Sequence, residues 1–383
     1  HTARESYRRE EILGNNVLLS GLIGGVGLLV GLVIATYFGE RFFPGVPQQY
    51  LIMALFLIPM QTLFAYISNI LLGVQRIKEL NLISLSQTFS FLVILIFIFV
   101  AINASPMSAL VAQLLAGVLI CIALFVQVYR IVGGVSFKLN LSYIRHLTTY
   151  GLQAHVGNVF WFLNHRIDML LINGYLGPTS VGFYSIAVSL TEQLWIISQA
   201  ASNILFPKIA AEQNEHKRKE ITPLVARSVL WITVVVGMVV FVLGRWIIEL
   251  LYSASFIEAV QPLRALLPGI IALSVGRVLT NDIAGRGFPI LNTYVSGVSL
   301  ITNVVLDIVW IPRYGIVGAA WASTVSYLLI LCGRIFFYCR LSGNSWTKVI
   351  FPQRGDWALY QQTAKVLAQS VQRRLKQWTP NEP

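Results

Sequence analysis

The sequence predicts an all-α polytopic membrane protein, two parallel-repeat helix bundles around a central cleft. Three observations carry that expectation. The 383-residue chain is 56% hydrophobic and only 11% charged, with a mean hydropathy of +0.70, against a charged share of about 25% in soluble domains. Its apolar residues fall in runs of about 20, the length a helix needs to cross ~30 Å of hydrocarbon. One polar pattern also occurs twice, each time between two such runs.

The elements follow in order. A polar segment, 1–15, opens the chain and is expected to be cytoplasmic. The first bundle, 16–146, holds spans at about 16–38, 50–74, 82–103 and 107–129. The second, 147–340, holds spans at about 148–175, 180–204, 225–248, 263–285, 289–311 and 315–338. Breaker-rich connections separate them, as in FPGVP (43–47), NASPM (103–107), YLGPTS (175–180) and IPRYG (311–315). No extramembrane stretch before residue 340 is long enough for a soluble domain.

The repeat pairs NILLGVQRIKELNLISLSQ, from Asn69, with NDIAGRGFPILNTYVSGVS, from Asn281. In each an Asn precedes a Gly by four positions (Gly73, Gly285), a basic residue follows (Arg76, Arg286), and another Asn opens the next span (Asn81, Asn292). Both copies fall on the same side, so the repeat is parallel and predicts paired bundles around a cleft. A six-span second bundle beside a four-span first predicts two further spans ahead of His1.

Basic residues set the orientation. One set of alternate loops carries Arg4, Arg8, Arg9, Arg76, Lys78, Arg130, Lys138, Arg145, Lys208, Lys217, Arg218, Lys219 and Arg286; the other has only Arg41, Arg245, Arg264 and Arg313. Both ends are therefore expected in the cytoplasm. The net charge of +12 reports this topology and implies no nucleic-acid partner. In the tail, 341–383, Trp357, Tyr360, Ala364, Leu367, Val371, Leu375 and Trp378 recur at helical spacing beside Lys365, Arg373, Arg374 and Lys376. That pattern predicts an amphipathic helix lying on an anionic leaflet.

A charged side chain at the bilayer centre costs ~2.5–3.5 kcal/mol, so ionisable residues there face a protein interior or a hydrated cavity. The four early spans hold only amides and hydroxyls at depth, such as Gln61, Asn69, Gln87 and Gln113. The second bundle holds His155, His165, Arg166, Asp168, Glu192 and Arg277. Ser185, Ser189, Glu192, Gln199 and Asn203 fall on one stripe of a single helix over 180–204, and His155, Asn158 and His165 share a face of the helix before it. Arg166 points nearly opposite to Asp168. Arg277 and Asn281 are one turn apart, as are Asn303 and Asp307. The expected cleft residues are Arg166, Asp168, Glu192, Arg277, Gln199, Asn203, Asn158 and Asn281. Arg166 and Arg277 read either as anion contacts, because a planar guanidinium gives paired, charge-assisted bonds to phosphate, or as members of Arg–Asp and Arg–Glu pairs that satisfy one another between helices. Glu192 and Asp168 are candidates for ion coupling. Asp282, Asp307 and Arg334 lie near span ends and read as snorkelling; Arg227, Arg245 and Glu249 read as interfacial.

Cys121, Cys332 and Cys339 sit in or beside apolar runs, with neither a disulfide framework nor metal-ligand spacing. No cofactor, metal or enzyme signature is visible: no Gly-rich phosphate loop, HExxH or GxSxG, and no acidic pair in a long loop.

The passage RIDMLLINGYLGPTSVGFYSIAVSLTEQLW, then NILFPKIAAEQ, then IPRYGIVGAAWASTVSYLL resembles the polysaccharide-export flippases, the Wzx-type branch of the multidrug/oligosaccharidyl-lipid/polysaccharide transporter superfamily. The likeness rests on the order R-x-D, G-P-x-x-V-G-x-Y-x-x-A, F-P and Y-G-x-x-G-A-A, and it covers most of residues 1–340. It implies twelve or more helices in two six-helix lobes. It further implies export of undecaprenyl-pyrophosphate-linked oligosaccharide, such as an O-antigen unit, across the bacterial cytoplasmic membrane by alternating access. Other polysaccharide-assembly proteins would be partners. By matching motif, Arg166, Asp168 and Glu192 are the family-like cleft residues, whereas Arg277 comes from the residues alone. Rival readings are a cation-coupled MATE-type exporter, which would need an essential carboxylate in the first lobe, a membrane glycosyltransferase or polymerase, which would need long external loops, and a scaffold, which would not need deep charges.

Overall fold

The computed structural model describes residues 9–74, 76–101, 104–138, 141–202, 215–353 and 356. Side chains are described over the same residues except 9, 77, 141–156, 158, 215 and 216. The chain forms two compact units, His1–Gln153 and Ala154–Pro383, and no strand occurs among the described residues.

The first unit contains α1 (Arg9–Tyr37), short α2 (Gly39–Phe42), α3 (Gln48–Leu55), α4 (Leu57–Gly73), α5 (Ile77–Ala101), α6 (Pro106–Val132) and the start of α7 (Leu141–Leu176). α3 and α4 together supply one expected span. α1 packs on α4 through Gly24, where a β-carbon would lie 2.6 Å from the Cα of Pro59; such small-residue contacts let backbones approach closely in lipid, where helix packing gains nothing from water exclusion. Leu13, Ile67, Leu71, Leu124 and Val128 form the core of this unit. α6 shows sequence-coded ends. Ser105 caps its first turn by accepting from the Ser108 amide at 3.2 Å, Pro106 follows, and Gly133 closes it at φ 88°.

The second unit contains the rest of α7, α8 (Pro178–Glu192), α9 (195–202), α10 (Glu215–Tyr252), a 3₁₀ turn (Ala254–Ala259), α11 (Val260–Gly285), α12 (Pro289–Ser342) and short α13 (Trp346–Ile350). α11 is its axis, buried along most of its length and packed by α8, α10 and α12. α12 folds back at Gly315, whose φ of 61° and ψ of −146° belong to a region open essentially to glycine alone. Its two arms run antiparallel. Ser299 donates to the Ser326 carbonyl at 2.8 Å, and Gly333 leaves room for Val295.

Among the described residues, seven helices are long and apolar enough to cross a membrane. Counting α12 as two spans, and adding α7 and the α8–α9 pair with their polar residues, recovers the ten runs expected from the sequence. Their outer faces carry bare apolar side chains, such as Leu29 at 65% and Phe97 at 69% exposure. Contiguous apolar surface of this kind suits lipid.

The repeat has a structural counterpart. Gly73 and Gly285 are the last residues of α4 and α11, three residues intervene in each copy, and a long helix then starts at Ile77 or Pro289. One expectation is corrected. The run 180–204 is not a single helix: Leu194 donates to Thr191 at 3.1 Å and Ile196 to Gln193 at 3.2 Å. These three-residue bonds tighten the chain at 193–194 and break the regular phase of the polar stripe. The apolar stripe Trp357–Trp378 and Asn203 lie outside the described residues.

Candidate substrate site

Side chains at 161, 165 and 168 share one face of α7, and that face turns into the second unit. His165 is buried against three rings, with centroid distances of 4.4 Å to Trp161, 5.2 Å to Trp195 and 5.1 Å to Tyr327. Its Nδ1 lies 2.6 Å from the Trp161 carbonyl. Nε2 is buried without a partner among the described residues.

Asp168 lies deeper, 1% exposed. It accepts from the Met169 amide at 2.9 Å, from the Tyr184 hydroxyl, and from Ser323 at 3.2 Å. Those partners explain the motif order in the sequence. Asp168 belongs to R-x-D, Tyr184 ends G-P-x-x-V-G-x-Y, and Ser323 follows Y-G-x-x-G-A-A by three positions, so two of the motifs and the stretch just after the third meet at one carboxylate. The polar layer continues through Asn164, which donates to Ser299 at 3.4 Å and accepts from Ser326 at 3.4 Å. It ends at Asn303, which donates to Asp307 at 3.2 Å. One oxygen each of Asn303 and Asp307 has no partner among the described residues.

Arg166 points away from this layer. It meets Glu192 at the end of α8 through two contacts, Nη1–Oε1 and Nη2–Oε2, both 3.2 Å. Glu192, Trp161, Trp195, Gln199 and Arg277, with Ile196 and Ala200, line one open pocket. Arg277 lies over the Trp195 ring at 5.1 Å, a cation–π contact, and donates to Gln199 at 2.9 Å. Among the described residues it meets no carboxylate.

The structure thus brings Glu192, Gln199 and Arg277 to one pocket, with Arg166 attached through Glu192, and sets Asp168 apart in the interior. Asn281 is half-buried one turn beyond Arg277; the Asn158 side chain and Asn203 are not described. Three residues read as snorkelling are corrected. Asp282, Asp307 and Arg334 are buried; Asp282 pairs with Arg286 and Thr222. Arg227, read as interfacial, is also buried, in an ion pair with Asp356. Proximity to a span end does not reveal which way a helix face turns. Trp161 and Trp195 were missed as site residues because aromatic side chains in apolar runs resemble lipid-facing ones. Tyr184 was legible only as part of its motif.

Fold and site together define a polytopic helical membrane protein whose second unit has a polar interior layer and a cationic pocket. The fold matches a lipid II flippase, MurJ, in an inward closed conformation, with a TM-score of 0.71 at 14% identity over 94% of this chain and 87% of that one. Residues 9–261 match the model of the polysaccharide biosynthesis protein family, and the chain belongs to that family. Among its relatives, a probable low-salt glycan biosynthesis flippase of Haloferax volcanii, Agl15, is 25% identical over 57% of this chain and 46% of its own length. An uncharacterized membrane protein of Methanocaldococcus jannaschii is 23% identical over 76% of this chain and 59% of its own. The chain therefore spans about half the length of these relatives.

Proposed function

We propose that this protein moves a lipid-linked oligosaccharide, joined to its polyprenyl carrier through a diphosphate, from the inner to the outer leaflet of the cytoplasmic membrane by alternating access. It does so without chemical change to the substrate, as a step in polysaccharide biosynthesis, with its C-terminus in the cytoplasm. The observation that carries this reading is Arg277, a guanidinium at a pocket wall held by an aromatic face and a neutral amide rather than by a carboxylate. Its charge remains available to a phosphate oxygen. Gln199 and Glu192 supply polar contacts suited to hydroxyls, and Trp161 and Trp195 supply flat apolar walls. Family membership and the flippase relatives support the substrate class.

Coupling to a cation fits the interior layer better than the pocket. Glu192 is already compensated by Arg166. Asp168 and Asp307 are buried with no cationic partner within ion-pair distance among the described residues, and unpaired oxygens lie at Asp307 and Asn303. The same pairing weighs against a multidrug exporter, whose cationic cargo would need an uncompensated carboxylate in the pocket.

The test is a leaflet-accessibility assay. The full chain in sealed vesicles should expose a lipid-linked oligosaccharide to an external glycan-modifying enzyme, and Arg277→Ala should abolish that exposure while the protein stays inserted. Equal exposure with empty vesicles, or with Arg277→Ala, would overturn the reading.

A further inference from the structure

Arg334 is a buried cation that the pocket alone does not explain. It lies on the second arm of α12, only 5% exposed. Its guanidinium rests against α11, where a β-carbon at Gly276 would come within 3.2 Å of Nη1. Glycine at 276 is what admits it. Nε is buried without a partner, and neither a hydrogen bond nor a carboxylate meets the group among the described residues. Arg277 is the next residue along α11, and the two guanidinium charges repel one another.

A guanidinium withdrawn from water is costly unless paired, and arginine keeps its charge at neutral pH rather than shedding the proton. Arg166 has its counter-charge in Glu192. Arg277 and Arg334 have none among the described residues, and they are adjacent. We propose that these two form a two-layer anion site: Arg277 touches the anion at the pocket wall, while Arg334, a positioning residue, adds a second positive charge from the layer beneath. The ligand chemistry is a diphosphate ester, whose clustered negative charge is the counter-charge the pair lacks. The anion site stands on the geometry. Naming the transported lipid as its ligand rests on the flippase reading.

The experiment is equilibrium binding of inorganic pyrophosphate to the full chain in nanodiscs of zwitterionic lipid. Arg334→Gln should weaken binding on the order of tenfold, the effect of removing one unit charge from a partly hydrated site, and Arg334→Lys should keep it near wild type. Unchanged binding in Arg334→Gln, or Arg334→Lys as weak as Arg334→Gln, overturns the proposal, the second outcome marking a packing role. Should Arg334→Gln fail to fold, the wild type decides: two charges require pyrophosphate to bind at least about tenfold tighter than orthophosphate, and equal binding overturns the site. Nanodiscs containing an anionic phospholipid separate the sources. Pyrophosphate binding that persists there supports the diphosphate, and its elimination by the monophosphate headgroup overturns that assignment. A soluble probe read by binding keeps this result apart from transport. Oligosaccharide flipping with no pyrophosphate binding sinks the anion site alone, while binding without flipping sinks the flippase reading alone.

Discussion

Arg166 and Glu192 hold one another through two contacts of 3.2 Å between α7 and the end of α8. That relationship separates two arginines that look equivalent in the sequence. Both lie at membrane depth in the second unit, yet one is compensated by a carboxylate and the other is seated on an indole ring. The pocket's positive character therefore comes from Arg277.

The pairing predicts a charge-swap rescue. Arg166→Ala leaves Glu192 without its partner at the pocket and should lower both folded yield and transport. Arg166→Glu combined with Glu192→Arg should restore much of the loss, because contacting residues give non-additive effects where distant ones add. Folded yield by detergent size-exclusion, together with the leaflet assay, checks this; additive losses in the double variant would show that the pair does not act as a unit.

At Arg277 the prediction is graded. Alanine removes both the charge and the fork, and should reduce transport at least about tenfold, since a hydrogen bond to a charged group contributes ~1.5–3 kcal/mol. Lysine keeps the charge but lacks the planar group that stacks on Trp195 and bonds at two points, so it should fall between alanine and wild type. Initial flipping rates in vesicles containing equal amounts of inserted protein give the order directly.

Much of this arrangement was visible in the amino-acid order. Apolar runs set the spans, IPRYG marked the reversal at Gly315, and the Asn–Gly pattern marked Gly73 and Gly285 as helix ends. Glu192, Gln199 and Arg277 stood out because polar side chains are rare in such runs. What stayed hidden depends on tertiary packing. The tight turn at 193–194 carries no glycine or proline to mark it, and Trp195 beside it packs against Trp161 and His165 of another helix. Whether Arg334 snorkels or buries depends on a glycine, Gly276, on a different helix. Periodicity placed Arg166 and Asp168 on opposite faces of α7, but the inward face is the one whose carboxylate meets Tyr184 and Ser323 on other helices, a match the local sequence does not show.

Tyr184 and Asp168 supply a stability prediction. Tyr184→Phe removes one donor from a carboxylate that is 1% exposed, and leaving a buried acceptor short costs about 1–3 kcal/mol. Asp168→Asn should be milder, because an amide oxygen still accepts from Tyr184, but it should remove any dependence of transport on a cation gradient. Thermal unfolding in detergent reads the first effect. Transport with and without an imposed sodium or proton gradient reads the second, and an intact gradient response in Asp168→Asn would clear Asp168 of a coupling role.

The Arg227–Asp356 pair predicts a pH-sensitive fastening of the segment after α12. Arg227 on α10 meets both Asp356 oxygens and also donates to the Lys348 carbonyl at 3.1 Å, while the Gln353 amide donates to Asp356 at 2.8 Å. The hydrogen bonds from Arg227 hold the Asp356 carboxyl below its ordinary value of 3.8. A carboxylate depressed in the folded state contributes stability that is fully present above its unfolded value and is lost as pH falls through the lower folded value. Protease accessibility of the chain beyond Asn344 should therefore stay flat from neutral pH down to about pH 4 and rise only below it. Arg227→Ala should expose the segment already at neutral pH, since removing one partner of a buried pair costs roughly 3–5 kcal/mol. Asp356→Asn should be more accessible than wild type at neutral pH and lose the acid step. An acid step that survives in Asp356→Asn would place the titrating group elsewhere.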